Sequence, residues 1–215
     1  MLTSDHGGLD LPERARLQAV PSARRVDPAI APGALGERLA SDLGLSAPAL
    51  LGESAAGDIY INPALSTADR ARVLPAALAV LRAHPDVAGA YSSAEVMATA
   101  LPTGDPREWS LLERLRASHY PGRSGNIIVA LKPEVTPIID PSPGYVATHG
   151  SPWDYDRRVP ILFWRRGMDQ LEQVQPALTV DIAPTLASQL GLALPAGTFD
   201  GRCLDLDAGE GNSCE

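Results

Sequence analysis

Asn126-Ile127-Ile128-Val129-Ala130-Leu131 is, after its leading asparagine, a continuous apolar run with no polar alternation. Such a run suits a strand buried in a sheet on both faces, because a solvated face selects a polar residue at every second position. Val159-Pro160-Ile161-Leu162-Phe163-Trp164 reads as a second buried run, with Pro160 tolerable near its start. Outward from these, Met1-Leu2-Thr3 reads as the end of a strand, Asp58 to Asn62 as a short strand stopped by Pro63, and Val87 to Tyr91 as another. Leu35, Leu39 and Leu43 recur at helical spacing and Gly44 follows, which predicts a helix over 33–43 with a glycine stop. Thr67 is positioned to cap a helix whose apolar face holds Leu74, Leu78 and Leu81, with Pro75 weakening its first half. A further helix runs through Val96 and Met97, and one more carries Trp109, Leu112, Leu115 and Ala117. Leu178, Ile182, Leu186 and Leu190 mark a last helical stripe ending at Gly191, with Asp181 as its N-cap and Pro184 in the first turn. From Asp10 to Pro32 the chain is rich in Arg, Pro and Ala without a clear period and reads as loop with at most a short helix. Strands and helices alternate throughout, so the class is α/β.

At 215 residues the chain is long enough to bury one substantial core, and 45% of its residues are hydrophobic. A net charge of -8 argues against a general binder of nucleic acid or anionic membrane. It says little about a phosphate ester, since metal ions reverse the local field of an acidic site. No run of about 18 apolar residues is present to span a membrane. The first eleven residues carry acids, a histidine and glycines where a signal peptide needs a basic and then an apolar stretch, so none is expected there. Lys132 is the only lysine beside abundant Arg, Ala, Pro and Gly, the bias of a GC-rich gene. With a strand end at the first residues, this leads to the expectation that an upstream portion is missing.

Three residues stand out chemically. Asp5 and His6 follow an apolar strand end, which places a carboxylate and an imidazole at a sheet edge where α/β proteins gather ligands. Gly7 and Gly8 allow the tight backbone that turns both side chains toward one centre. His149 lies in a second glycine-flanked loop, Thr148-His149-Gly150. Zinc accepts such a mixture of oxygen and nitrogen donors, although each segment alone reads more readily as a surface loop. His84, before a proline at a helix end, and His119, between a helix and a strand, read as surface residues. Cys203 and Cys214 either close a small surface loop or remain two free thiols, and neither has the spacing of a zinc ligand.

Taken together, four segments in order resemble the single-chain alkaline phosphatases of the alkaline phosphatase superfamily that are related to type I phosphodiesterase/nucleotide pyrophosphatases. Thr3-Ser4-Asp5-His6-Gly7 is similar to the family's Asp-His metal motif. Arg123 to Ile128 with Leu131-Lys132-Pro133 resembles the strand before the last metal ligand. Ala147-Thr148-His149-Gly150-Ser151-Pro152-Trp153-Asp154-Tyr155-Asp156, running into Val159 to Phe163, looks like the distal metal motif. Val180 to Leu186, followed by Asp200-Gly201-Arg202, resembles the closing helix and turn.

The resemblance implies a central, mainly parallel sheet with helices on both faces, its N-terminal strands missing, and residues 1–215 forming the C-terminal part of one alkaline-phosphatase-like domain. It implies two Zn2+ ions and hydrolysis of a small-molecule phosphomonoester through a hydroxyl nucleophile, with no nucleic acid or membrane partner. Asp5 and His6 would hold one ion and His149 the other. The family's nucleophile and remaining ligands match nothing in this chain, so weak zinc binding and little activity are expected of it alone. A phosphodiesterase or sulfatase of the same superfamily, or a non-catalytic fragment needing a partner, are the alternatives. Periplasmic or secreted origin is likewise implied by the family.

Overall fold

The computed structural model describes every residue except 143, 145, 146 and 215. Its elements in chain order are β1 (Leu2–Thr3), β2 (Leu9–Asp10), α1 (Pro12–Leu17), β3 (Arg24–Arg25), α2 (Pro32–Leu43), β4 (Leu50–Leu51), β5 (Gly57–Ile61), α3 (Thr67–Ala83) and β6 (Val87–Ser92). They continue with α4 (Ser93–Ala98), α5 (Leu111–Ser118), β7 (Ile127–Leu131), β8 (Val135–Thr136), β9 (Ala147–Thr148), α6 (Asp154–Arg157), β10 (Ile161–Leu162) and α7 (Ile182–Gln189). The chain divides into two units, one of residues 6–158 and one of residues 1–5 with 159–215. No helix among the described residues is long and apolar enough to cross a membrane.

The unit of residues 6–158 is built on a four-stranded sheet of order β4-β5-β7-β6. As its sequence predicts, β7 is buried at all five positions. Its side chains divide between two clusters. Ile127, Val129 and Leu131 join the larger core with Ile59 of β5, Leu35 and Leu39 of α2, and Val73, Ala77 and Leu81 of α3. Ile128 and Ala130 point the other way, into a smaller cluster with Val96 of α4 and Leu115 of α5. Helices therefore cover both faces of this sheet. The mainly parallel arrangement is corrected: β4 with β5, β5 with β7 and β6 with β7 all pair antiparallel. A strand buried on both faces reads as an unbroken apolar run in either orientation, so the residues carry no signal for its direction. Among the described pairings only β3 with β8 is parallel.

Local signals explain the helix ends. Gly44 adopts φ 65°, the left-handed turn that closes α2. The cap of α3 is Ser66, whose hydroxyl accepts from the Asp69 N–H, and Thr67 is the first helical residue. Pro75 is accommodated inside α3. Trp109 precedes α5, which Ser110 caps in a box with Glu113.

A buried carboxylate links the start of β6 to the segment after β3. Asp86 accepts from Arg24 Nε at 2.7 Å and from the Asp27 N–H at 3.0 Å. Burial, the largest single influence, pushes its pKa up, but the Asp27 N–H and the Arg24 guanidinium together outweigh it and hold the group below the usual carboxylate range. A depressed folded pKa means that the contribution is present above the unfolded value of about 3.9 and is lost as pH falls through the lower folded value. Urea midpoints of this unit should accordingly drop with acidification below about pH 4. In Asp86→Asn that part of the slope should disappear, and an unchanged slope would count against the linkage.

In the unit of residues 1–5 and 159–215, β1 pairs antiparallel with β10, and Cys203 is bonded to Cys214. The run from Val159 to Trp164 departs from its sequence reading. It yields only a two-residue strand, Leu162 is 55% exposed and Trp164 82%. Apolar character shows that a segment favours burial and not what lies against it. Asp181 precedes α7 as expected, yet its side chain makes no cap bond. It accepts instead from the Leu178 and Arg202 N–H groups at 2.8 and 2.9 Å. The buried positions of α7 are Thr185 and Ala187 rather than the leucine stripe, and Leu190 is exposed.

Candidate metal centre

In the unit of residues 6–158, the two histidines singled out by the sequence are brought together by a short ladder. Strand β2 pairs antiparallel with β9, Leu9 opposite Thr148 and Asp10 opposite Ala147. Continuing that register past Leu9 and Thr148 brings the loop of His6, Gly7 and Gly8 alongside His149. The loop is held from its other side by α6: the Gly7 N–H donates to the Asp156 carbonyl at 2.8 Å and the Gly8 N–H to the Tyr155 carbonyl at 3.0 Å. Gly7 has to be glycine here, because a Cβ would overlap the Tyr155 carbonyl oxygen. Asp156 completes the frame by accepting the Ser151 N–H on Oδ2 at 2.7 Å, which ties the loop after His149 to the same helix.

The outcome is a stacked pair. The His6 and His149 rings lie 3.8 Å apart between centroids with 17° between their planes. His6 Nδ1 is 2.7 Å from the Gly7 carbonyl oxygen. A carbonyl only accepts, so this contact places the proton on Nδ1, the outer-shell arrangement usual for metal-binding histidine. Ring lone pairs lie in the ring planes, and two nearly parallel planes do not converge on one point. The pair therefore fits donors to two neighbouring ions better than donors to a single one.

Asp5 belongs to the other unit, where its Oδ1 accepts from Ser4 Oγ at 3.3 Å. Among the described residues no group of three or more His, Cys, Asp or Glu side chains is arranged to hold a metal ion. The donors fit zinc in kind, as imidazole nitrogen and carboxylate oxygen. They do not supply the roughly three or four protein ligands that each zinc takes.

The remaining histidines depart from their reading as surface residues. His119 is buried, with Nε2 3.0 Å from Ser93 Oγ. His84 is largely buried and accepts the Asp86 N–H on Nδ1 at 3.2 Å. Asp156, buried and central to the histidine frame, stands in the sequence only as the last residue of the distal motif, with no role of its own. Its one signal is position, five residues after Ser151 and just after the distal loop.

No protein-family model matches the chain. Over 216 aligned residues it is 50% identical to alkaline phosphatase PhoK of Sphingomonas sp, an alignment covering 100% of this chain and 39% of that protein. It is 49% identical to alkaline phosphatase PhoD of Zymomonas mobilis subsp. mobilis, again over 216 residues, with 100% and 37% covered. The chain matches part of an alkaline phosphatase. It spans about two fifths of the length of these curated relatives, and the likeness supports an alkaline-phosphatase-like family. Among solved structures, wild-type alkaline phosphatase PafA superposes with a TM-score of 0.70 at 22% identity, over 94% of this chain and 36% of that one. A mutant of PafA superposes at 0.68 over the same shares. These two matches establish likeness of fold.

Proposed function

We propose that the chain supplies the distal metal-binding part of a zinc-dependent phosphomonoester hydrolase of the alkaline phosphatase type. The observation that carries this reading is the stacking of His6 on His149, in a chain about half identical to alkaline phosphatases along its whole length. Residues 1–215 form part of one alkaline-phosphatase-like domain. Asp5 and His6, adjacent in sequence, serve one zinc ion, and His149 serves a second. Bound zinc supplies Lewis acidity toward the phosphoryl oxygens and lowers the pKa of an attacking hydroxyl or water. The chain's own contribution is orientation: the Gly7 carbonyl fixes the His6 tautomer, and the contacts of Asp156 and Tyr155 hold both loops. The Cys203–Cys214 bond suits an oxidising compartment and so favours a periplasmic or secreted setting. The substrate class is a small phosphate ester.

With three proposed donors for two ions and no nucleophile assigned, the isolated chain should hydrolyse p-nitrophenyl phosphate no faster than buffer. A chimera of PhoK, in which this chain replaces the matched 216 residues, tests the function itself. Chelator-sensitive hydrolysis is expected of the chimera. His6→Ala or His149→Ala in it should lower turnover by more than the roughly 10–100-fold typical of losing an outer-shell partner. Full turnover in both variants would remove the histidines from the site and leave the reading without its support.

A further inference from the structure

Helix α6 has four residues and no side-chain cap, yet it carries the frame of the histidine pair. Its Tyr155 and Asp156 carbonyls hold the Gly7–Gly8 loop, and the Asp156 carboxylate holds the Ser151 N–H in the loop after His149. One helical turn is far short of the roughly 12–15 residues at which an isolated helix becomes even marginal in water. The position of α6 is therefore set by its neighbours, and these are β7 and α5.

Trp153, immediately before α6, donates its indole Nε1–H to the carbonyl of Leu131, the last residue of β7, at 2.9 Å. Arg114 of α5 acts beside it. Its Nη1 donates to the Pro152 carbonyl at 3.1 Å and lies 3.3 Å from the Asp154 carboxylate, while its Nε donates to the Trp109 carbonyl at 2.9 Å. The Arg114 side chain is 14% exposed, so water competes little for these bonds. Asp154 is 46% exposed, which makes the ion pair weak and leaves the charge-assisted bond to the Pro152 carbonyl as the main constraint. The next residue, Leu115, packs α5 into the smaller core with Ile128 and Ala130 of β7, so Arg114 reaches out from a firm base. A guanidinium serves Trp109 and Pro152 together because its nitrogens lie in one rigid fork, whereas an ammonium offers a single nitrogen on a flexible stem.

We infer that Arg114 is a positioning residue for the His6–His149 pair: it fixes Pro152 and with it α6, and α6 fixes the loops of both histidines. That the pair serves metal rests on the proposed function; that Arg114 positions it does not. Arg114→Lys in the full chain tests the role, since lysine keeps the positive charge beside Asp154 and loses the fork. Without metal, the nuclear Overhauser contacts between the two imidazoles should be lost. Backbone amide shifts should change at residues 6–8 and 149–157 and hardly at all in β5 and β6. With Zn2+ added, the concentration that half-shifts the imidazole nitrogens should rise about 10–100-fold, the usual cost of losing an outer-shell partner. Arg107→Lys is the control, an arginine whose side chain is half exposed and bonded to Asp105 in its own loop, and it should behave as the wild type. Trp153→Phe keeps an aromatic ring but deletes the donor to Leu131; it should loosen the same loops, and it decides by the same criteria if Arg114→Lys fails to fold. Imidazole contacts retained in Arg114→Lys overturn the inference. So do amide changes spread over the whole unit, which report a general loss of stability. Wild-type rings that stay in contact but ignore zinc would remove the proposed function and leave the positioning role, and intact ring contacts in Arg114→Lys would do the reverse.

Discussion

Gly7→Ala is expected to separate His6 from His149 and to lower the stability of the unit that contains them by about 1–3 kcal/mol, the usual range for overpacking. The added Cβ would overlap the Tyr155 carbonyl oxygen and lie within 3.2 Å of Asp156 Cα. Both obstacles are backbone, so no side-chain rotation relieves the clash. The loop has to lift off α6, which breaks the Gly7 N–H to Asp156 carbonyl and Gly8 N–H to Tyr155 carbonyl bonds. Each contributes about 0.5–1.5 kcal/mol net. A matched control separates this effect from ordinary loss of glycine. Gly150, directly after His149, has φ 94° but no atom near a built Cβ. Gly150→Ala should therefore show conformational strain alone, of about 1–3 kcal/mol, with the Gly7 contacts intact. Urea denaturation and nuclear Overhauser contacts between the two imidazoles would report both variants. Retention of the ring contacts in Gly7→Ala would mean that the Tyr155–Asp156 anchor does not position His6.

The second large effect lies in the sheet. Ile127→Ala is expected to cost about 2–5 kcal/mol, the range for truncating a large buried aliphatic side chain. Ile127 is fully buried and sits in the larger core beside Ile59, Leu81 and Val129. Out of a total stability of about 5–15 kcal/mol for a typical domain, such a loss shifts the urea midpoint by a large fraction. Ile128→Ala, on the opposite face, removes a similar volume from a cluster of only four buried residues and should cost less. Equal losses at the two positions would contradict the division of β7 between a major and a minor core.

The same strand shows how far the sequence could be read. Five apolar residues in a row announced burial on both faces, and both faces are covered. Which neighbours β7 takes, and in which direction, depends on β5 and β6, whose residues satisfy either orientation equally well. The run at Val159–Trp164 shows the converse limit, because an apolar segment states a preference that the rest of the molecule leaves unmet at Leu162 and Trp164. In the site, His6 and His149 were visible because glycines flank them and because their segments resemble metal motifs. His119 and Asp156 were not visible. His119 bonds to Ser93 from another helix, and the importance of Asp156 depends on backbone contacts of a loop distant in sequence. Ser66 rather than Thr67 capping α3 is a smaller case, since two adjacent hydroxyl residues satisfy the same rule.

We propose that His6 and His149 are paired in order to hold metal. Imidazole nitrogen spectra of the uniformly 15N-labelled chain during titration with Zn2+ test it most directly. The account predicts that the resonances of His6 and His149 shift together, that Nε2 of His6 is the nitrogen affected while Nδ1 keeps its proton, and that His84 and His119 stay in place. Shifts confined to His84 or His119, or none at His6 and His149 at saturating zinc, would contradict it.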